Sequence, residues 1–151
     1  MSVINRFSWV PLVASVAFAG QFVFGQTSTP WRQWGGPDRN FHVSAGRIAE
    51  TWPENGPTQL WNRPLGEGYS SILVDQGLLI TMYREGDDEV IIALDAHTGA
   101  TTWQFGYDAP LVNNGYFDVW LNSAGPGPYS TPLIADETVF SVGVNGHFYA
   151  L

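Results

Sequence analysis

Three histidines, His42, His97 and His147, are the first candidates for acid–base or metal chemistry. None stands at a metal-ligand spacing from another histidine, or from a carboxylate pair on a helical pattern. His97 falls in a turn and His147 starts a strand, and structural or solvent-exposed roles are expected for all three. The triplet Asp87-Asp88-Glu89 has the charge to attract calcium. It lacks the alternating spacing and the distal bidentate Glu of a calcium loop, so it reads as a solvated hairpin turn. Ser70, Ser71, Ser123, Ser130 and Ser141 lack a G-x-S-x-G context, so no nucleophile elbow is visible. Gly66-Glu67-Gly68 reads as a turn and not as a nucleotide loop. With no cysteine, thiolate metal sites, thiol nucleophiles and disulfides are excluded. No catalytic residue and no metal ligand is assigned.

One segment has the composition of a binding surface. Residues 106–128 form a connection of about 23 residues, a length that is often functional in a compact domain. It carries Tyr107, Asn113, Asn114, Tyr116, Phe117, Asp118 and Trp120. Aromatic rings beside Asn and Asp suit a rim contact with a peptide, a sugar or a cofactor ring. Tyr107, Asn113, Asn114, Tyr116 and Trp120 are the rim candidates. The alternative is a loop that packs over its neighbours.

The elements that must position these residues are strands. The 151 residues include 17 Gly and 10 Pro, which suits a turn-rich β protein. The 7 Trp, 6 Tyr and 9 Phe, with 44% hydrophobic residues, exclude a disordered chain. A net charge of −8 with only six basic residues argues against a nucleic-acid partner. Residues 26–58 are irregular and rich in Trp, Gly and Pro, and read as a lead-in that packs its aromatics on something. Gln59 to Arg63 reads as a short strand. Apolar runs follow at Ile72–Val74, Leu78–Tyr83 and Val90–Leu94, and a strand holding Trp103 runs from Ala100 to Phe105. Between them lie turns at Asp75-Gln76-Gly77, Arg84 to Glu89, and Asp95 to Gly99. This is an up-and-down meander of antiparallel strands.

The N-terminus reads as an export signal. Arg6 and the terminal amine precede an uncharged stretch from Trp9 to Gly25. Ala17-Phe18-Ala19 would cleave before Gly20, and Val23-Phe24-Gly25 before Gln26. Cleavage after Gly25 is preferred because it uses the whole apolar stretch. Residues 1–25 are therefore assigned as a signal peptide and the protein as periplasmic or secreted. An uncleaved anchor is the alternative, since the stretch is near the lower limit for a span. No other stretch is long and apolar enough, so no membrane span is expected after cleavage.

The meander repeats. Tyr69-Ser70-Ser71-Ile72-Leu73-Val74 recurs as Tyr129-Ser130-Thr131-Pro132-Leu133-Ile134 at an offset of 60. Leu79-Ile80-Thr81 matches Val139-Phe140-Ser141 at the same offset, and Ile92-Ala93-Leu94 matches Tyr149-Ala150-Leu151 at 57. Trp61 and Trp103 are 42 residues apart, the period of a four-stranded propeller blade.

Within the repeat, Ala93-Leu94-Asp95-Ala96-His97-Thr98-Gly99-Ala100-Thr101-Thr102-Trp103 resembles the A-L-D-x-x-T-G-x-x-x-W motif of pyrrolo-quinoline-quinone-like β-propellers. Tyr69-Ser70-Ser71 and Tyr129-Ser130-Thr131-Pro132 resemble the start of inner strands in that family. Gly146 to Leu151 resembles the lead into another motif copy, and Trp31 to Asn40 is similar to the lead-in of many exported members. Asp95 is expected to accept hydrogen bonds from turn amides, with Thr98 adding another. Gly99 supplies a positive φ and Trp103 a large buried face. All four are read as structural. The fold expected for residues 59–151 is an all-β propeller of four-stranded antiparallel blades, incomplete in this chain. It comprises a closing strand and about one and three-quarter blades. Trp103 lies ten residues after Ala93, so a second motif would place a tryptophan near position 160, ten residues after Ala150. The chain therefore reads as the N-terminal part of a longer frame, with ring closure by self-association as the alternative.

The resemblance implies two functions. One is a non-catalytic, exported scaffold for a protein or small ligand, similar to the BamB family but without its lipobox Cys. The other is the N-terminal part of a quinoprotein dehydrogenase that oxidises alcohols or sugars. Pyrrolo-quinoline quinone and calcium are implied only under that second reading, and no cofactor is otherwise predicted. The scaffold is the preferred expectation.

Overall fold

The computed structural model describes residues 29–43, 49–111 and 125–151. The signal-peptide assignment over residues 1–25 lies outside them, as do Asn113, Asn114, Tyr116, Phe117, Asp118 and Trp120. The described residues are all-β, with antiparallel strands in two sheets and no helix. The first sheet has the order β1 (Leu73–Asp75), β2 (Leu78–Glu85), β3 (Asp88–Asp95), β4 (Thr101–Asp108). The second has the order β5 (Leu133–Ala135), β6 (Thr138–Val142), β7 (Phe148–Ala150).

Turn chemistry sets the register. Gln76 and Gly77 both have positive φ, 47° and 78°, as the two central residues of a type I′ hairpin require. That turn aligns Asp75 with Leu78 and Leu73 with Ile80. Between β3 and β4 the register slips by one residue, pairing Ala93 with Trp103 but Leu94 with Thr101. Such a bulge sharpens the local twist beside the Asp95 turn.

Strand alternation divides the first sheet into two apolar faces. Tyr83, Val90, Ile92 and Leu94 face Trp61 and Leu65 of the segment that precedes β1. Leu73, Ile80, Met82, Ile91 and Ala93 face the second sheet and pack with its Ile134, Val139 and Tyr149. The layers therefore run the Trp61–Leu65 segment, first sheet, second sheet. The repeat-equivalent face of the second sheet has no such cover among the described residues. Leu133, Val142 and Phe148 are exposed, whereas their counterparts Leu73, Met82 and Ile91 are buried.

Several sequence expectations are corrected. Gln59 to Arg63 is not a strand, because its backbone has no ladder partner among the described residues. Side chains hold it instead: Trp61 Nε1 donates to the Ala96 carbonyl at 3.0 Å and Arg63 to the Gly99 carbonyl at 3.1 Å. The closing strand expected there is thus absent as a strand. The Arg84–Glu89 turn shrinks to Gly86-Asp87, since Arg84 pairs with Glu89 across the hairpin. The long connection starts after Asp108, because β4 continues through Gly106 and Tyr107. Of the lead-in tryptophans, Trp31 packs against the core while Trp34 and Trp52 are exposed.

Candidate functional site

The Asp95 turn is built by its own side chains. Asp95 Oδ1 accepts from the amides of His97 and Thr98, at 3.0 and 2.8 Å, and from the Thr98 hydroxyl at 2.8 Å. The Ala100 amide donates to Thr98 Oγ1 at 3.3 Å. Gly99 has φ +70° and lies under the Trp61 ring. The Thr98 hydroxyl and amide hold the Asp95 carboxyl below the ordinary carboxylate range. A lowered folded-state pKa stabilises above the unfolded value of about 3.9 and is lost as pH falls through the folded one. Thr98→Ala is therefore expected to move the Asp95 titration up toward the ordinary value, read by NMR of its carboxyl carbon. An unmoved titration would contradict the hydroxyl's role.

At the other end of the sheet, three residues form a buried polar cluster that the sequence reading missed. Glu89 is fully buried and Arg84 is 4% exposed. Glu89 Oε2 accepts from Tyr107 Oη at 2.6 Å, and its carboxylate also accepts from the Val144 amide at 3.2 Å. Arg84 Nη2 sits 3.6 Å from Glu89 Oε1, an ion pair too long for a hydrogen bond. Arg84 also donates to the Ala109 carbonyl at 2.9 Å and the Pro126 carbonyl at 3.2 Å. The cluster thus joins the first sheet to the β6–β7 turn and holds both flanks of the 112–124 segment. Glu89 is no solvated turn residue, and Tyr107 is no rim residue. Both point to the inter-sheet face with Ile91 and Phe105. Strand parity was the available clue: Glu89 alternates with Ile91 and Ala93, and Arg84 with Met82 and Ile80.

Burial, then the Glu89 carboxylate, pushes the Tyr107 phenol far above its ordinary range. The sign follows directly. This contribution is complete below the unfolded pKa of about 10 and is lost as pH rises above it. Tyr107→Phe should therefore flatten the alkaline fall in stability relative to wild type. Denaturant midpoints at neutral pH and above pH 10 check this.

A third region joins repeat-equivalent residues. The rings of Tyr69 and Tyr129 stack at 5.6 Å and 13°, and both are exposed. The Ser71 amide donates to Thr131 Oγ1 at 3.0 Å. Trp31 exchanges both backbone hydrogen bonds with Val74, while the Ile134 amide donates to the Arg32 carbonyl. Val74 and Ile134 are counterparts in the repeat, so one arm spans both β1 and β5.

Between the sheets, at the end bearing the β1–β2 and β5–β6 turns, lies a cavity of about 490 Å3. Leu78, Ile80, Trp103, Phe105, Ile134 and Val139 form its apolar wall, and Asp136 and Glu137 are exposed at its mouth. Trp103 is thus half-buried against open space, not enclosed. Asp75, also at this mouth, is paired with Arg32 at 2.9 Å. Among the described residues no three His, Asp or Glu side chains converge as a cation site. His42, His97 and His147 are exposed, and His147 meets the Tyr107 ring edge-on at 5.5 Å.

No family model, curated protein or solved structure matches this chain.

Proposed function

We propose that this chain contributes blades to an exported β-propeller of the pyrrolo-quinoline-quinone-like class, and that it acts as a non-catalytic scaffold for a protein or small ligand. The observation that carries this reading is the contact between repeat-equivalent residues. Tyr69 meets Tyr129, Ser71 meets Thr131, and Trp31-Arg32 spans both Val74 and Ile134. Blades set around an axis bring like positions of neighbouring inner strands together in this way, whereas two face-to-face sheets of a sandwich need not. The Tyr69–Tyr129 pair then forms an exposed aromatic platform with two phenolic hydroxyls. Platforms of this kind suit partner recognition because large rigid rings lose little entropy on binding. Export rests on the Arg6 to Gly25 pattern.

The test is a photo-crosslinking residue in place of Tyr129, illuminated in an exporting host, beside a titration of the purified protein with pyrrolo-quinoline quinone and calcium. A discrete adduct and an unchanged quinone spectrum support the scaffold. A bound-quinone absorbance that saturates at one equivalent would move the chain to the quinoprotein dehydrogenases. Absence of both would remove the scaffold reading.

A further inference from the structure

We propose that Tyr69 and Tyr129 form a modification site, at which a one-electron oxidant of the kind a haem peroxidase makes from hydrogen peroxide couples the two rings into dityrosine. This goes beyond the scaffold reading and does not depend on it. The rings are parallel to within 13°, with centroids 5.6 Å apart. Both phenol ends converge on Gly125. Tyr129 Oη donates to its carbonyl, and a Cβ on Gly125 would lie 3.3 Å from Tyr69 Oη and 3.8 Å from Tyr69 Cε2. The carbons ortho to the two hydroxyls are thus at the same end of the stack. The backbone holds the pair in place. The Tyr69 amide donates to the Pro128 carbonyl at 2.8 Å and the Ser71 amide to Thr131 Oγ1 at 3.0 Å. Tyr69 is 59% exposed and Tyr129 43%, so a diffusible oxidant reaches both rings. Both residues lie outside the strands, which leaves the rings room to turn as the bond forms.

Each phenol gives up one electron and one proton. The two tyrosyl radicals join through a carbon–carbon bond between ortho positions, and the hydrogen on each of those carbons moves to the adjacent oxygen. Hydrogen peroxide takes up the two electrons and two protons and leaves as two waters. Rings already in contact react intramolecularly, at an effective concentration far above that of a dilute second molecule. The other close pair is Tyr107 and Tyr149, with centroids 4.6 Å apart. Tyr107 is buried and its hydroxyl is held by Glu89, so its ring is shielded from the oxidant and fixed in place. The 151 residues contain no cysteine, so no disulfide links β1–β4 to β5–β7. The dityrosine bond would make that link, closing a loop of 60 residues between the segment before β1 and the segment before β5. Closing so long a loop removes entropy from the unfolded chain.

The purified 151-residue protein, kept dilute, is treated with a haem peroxidase and one equivalent of hydrogen peroxide. The expected product is a monomer that has lost two hydrogen atoms and shows dityrosine fluorescence. Its digest should contain one crosslinked peptide, joining Tyr69 to Tyr129. Its thermal midpoint should rise by about 10 °C over the untreated protein, as a crosslink closing a loop of this length predicts for a chain of this size. Tyr69→Phe and Tyr129→Phe keep the stacked rings and remove one phenol, so each should abolish the product. Tyr149→Phe should leave it unchanged. Covalent dimers as the main product, or a crosslink through Tyr107, Tyr116 or Tyr149, overturns the proposal. So does the absence of dityrosine when a parallel reaction couples free tyrosine. A Tyr69–Tyr129 bond with no rise in midpoint overturns its role as a link between the sheets.

Discussion

Glu89→Gln is expected to destabilise the protein by about 3–5 kcal/mol, measured by urea unfolding. The substitution barely changes shape. It removes the negative charge paired with the buried Arg84 guanidinium, whose other acceptors among the described residues are neutral, the carbonyls of Gly86, Ala109 and Pro126. It also weakens the bonds that Tyr107 and Val144 donate to the carboxylate. The cost lies in the uncompensated charge and not in the value of the pair itself. The double variant Arg84→Met with Glu89→Leu should therefore be less destabilised than Glu89→Gln alone. A double variant equal to the sum of its singles would show that the two groups do not act together. Gly143 makes the site stricter still, since a Cβ there would collide with Tyr107 Oη and Glu89 Oε2.

The strands were legible because the cues were local. Apolar runs bounded by Asp-Gln-Gly and Asp-x-x-Thr-Gly turns fixed β1 to β4 to within a few residues. The Asp95 hydrogen bonds were legible for the same reason, lying within five residues of chain. The buried cluster was not. A run such as Arg-Glu-Gly-Asp-Asp-Glu has the composition of a solvated turn. Only the two-residue hairpin, which places Arg84 opposite Glu89, turns both side chains inward. Tyr107 was misplaced because β4 runs on past Phe105 through a glycine, and Gly106 gives no sequence sign of continuing a strand. The cavity was not legible either. It exists where sheet two meets sheet one, between residues separated by up to seventy-six positions, such as Asp75 and Leu151. The repeat offset hinted at which residues correspond, but not that the corresponding faces differ in cover.

Gly99→Ala tests the repeat motif with the second large effect. Two penalties coincide there. A left-handed backbone, φ +70°, costs a residue with a Cβ about 1–2 kcal/mol. The added methyl also meets the Trp61 ring at 2.6 Å, which adds an overpacking cost of about 1–3 kcal/mol. Gly77→Ala is the control, because its φ is +78° but nothing lies within 4 Å of the new Cβ. The two variants share the backbone strain and differ in the clash. Gly99→Ala should therefore lose clearly more stability than Gly77→Ala, and the excess reports the packing of Trp61 on the turn. The tryptophan that closes over Gly99 also bonds the Ala96 carbonyl, so the clash breaks a side-chain anchor of residues 59–63 as well. Trp61→Ala in the Gly99→Ala background separates these effects. If the ring is the obstacle, removing it abolishes the excess, and Gly99→Ala then costs no more than Gly77→Ala. An excess that survives the loss of the ring would place the constraint in the turn backbone, and Trp61 would be only a neighbour of the motif.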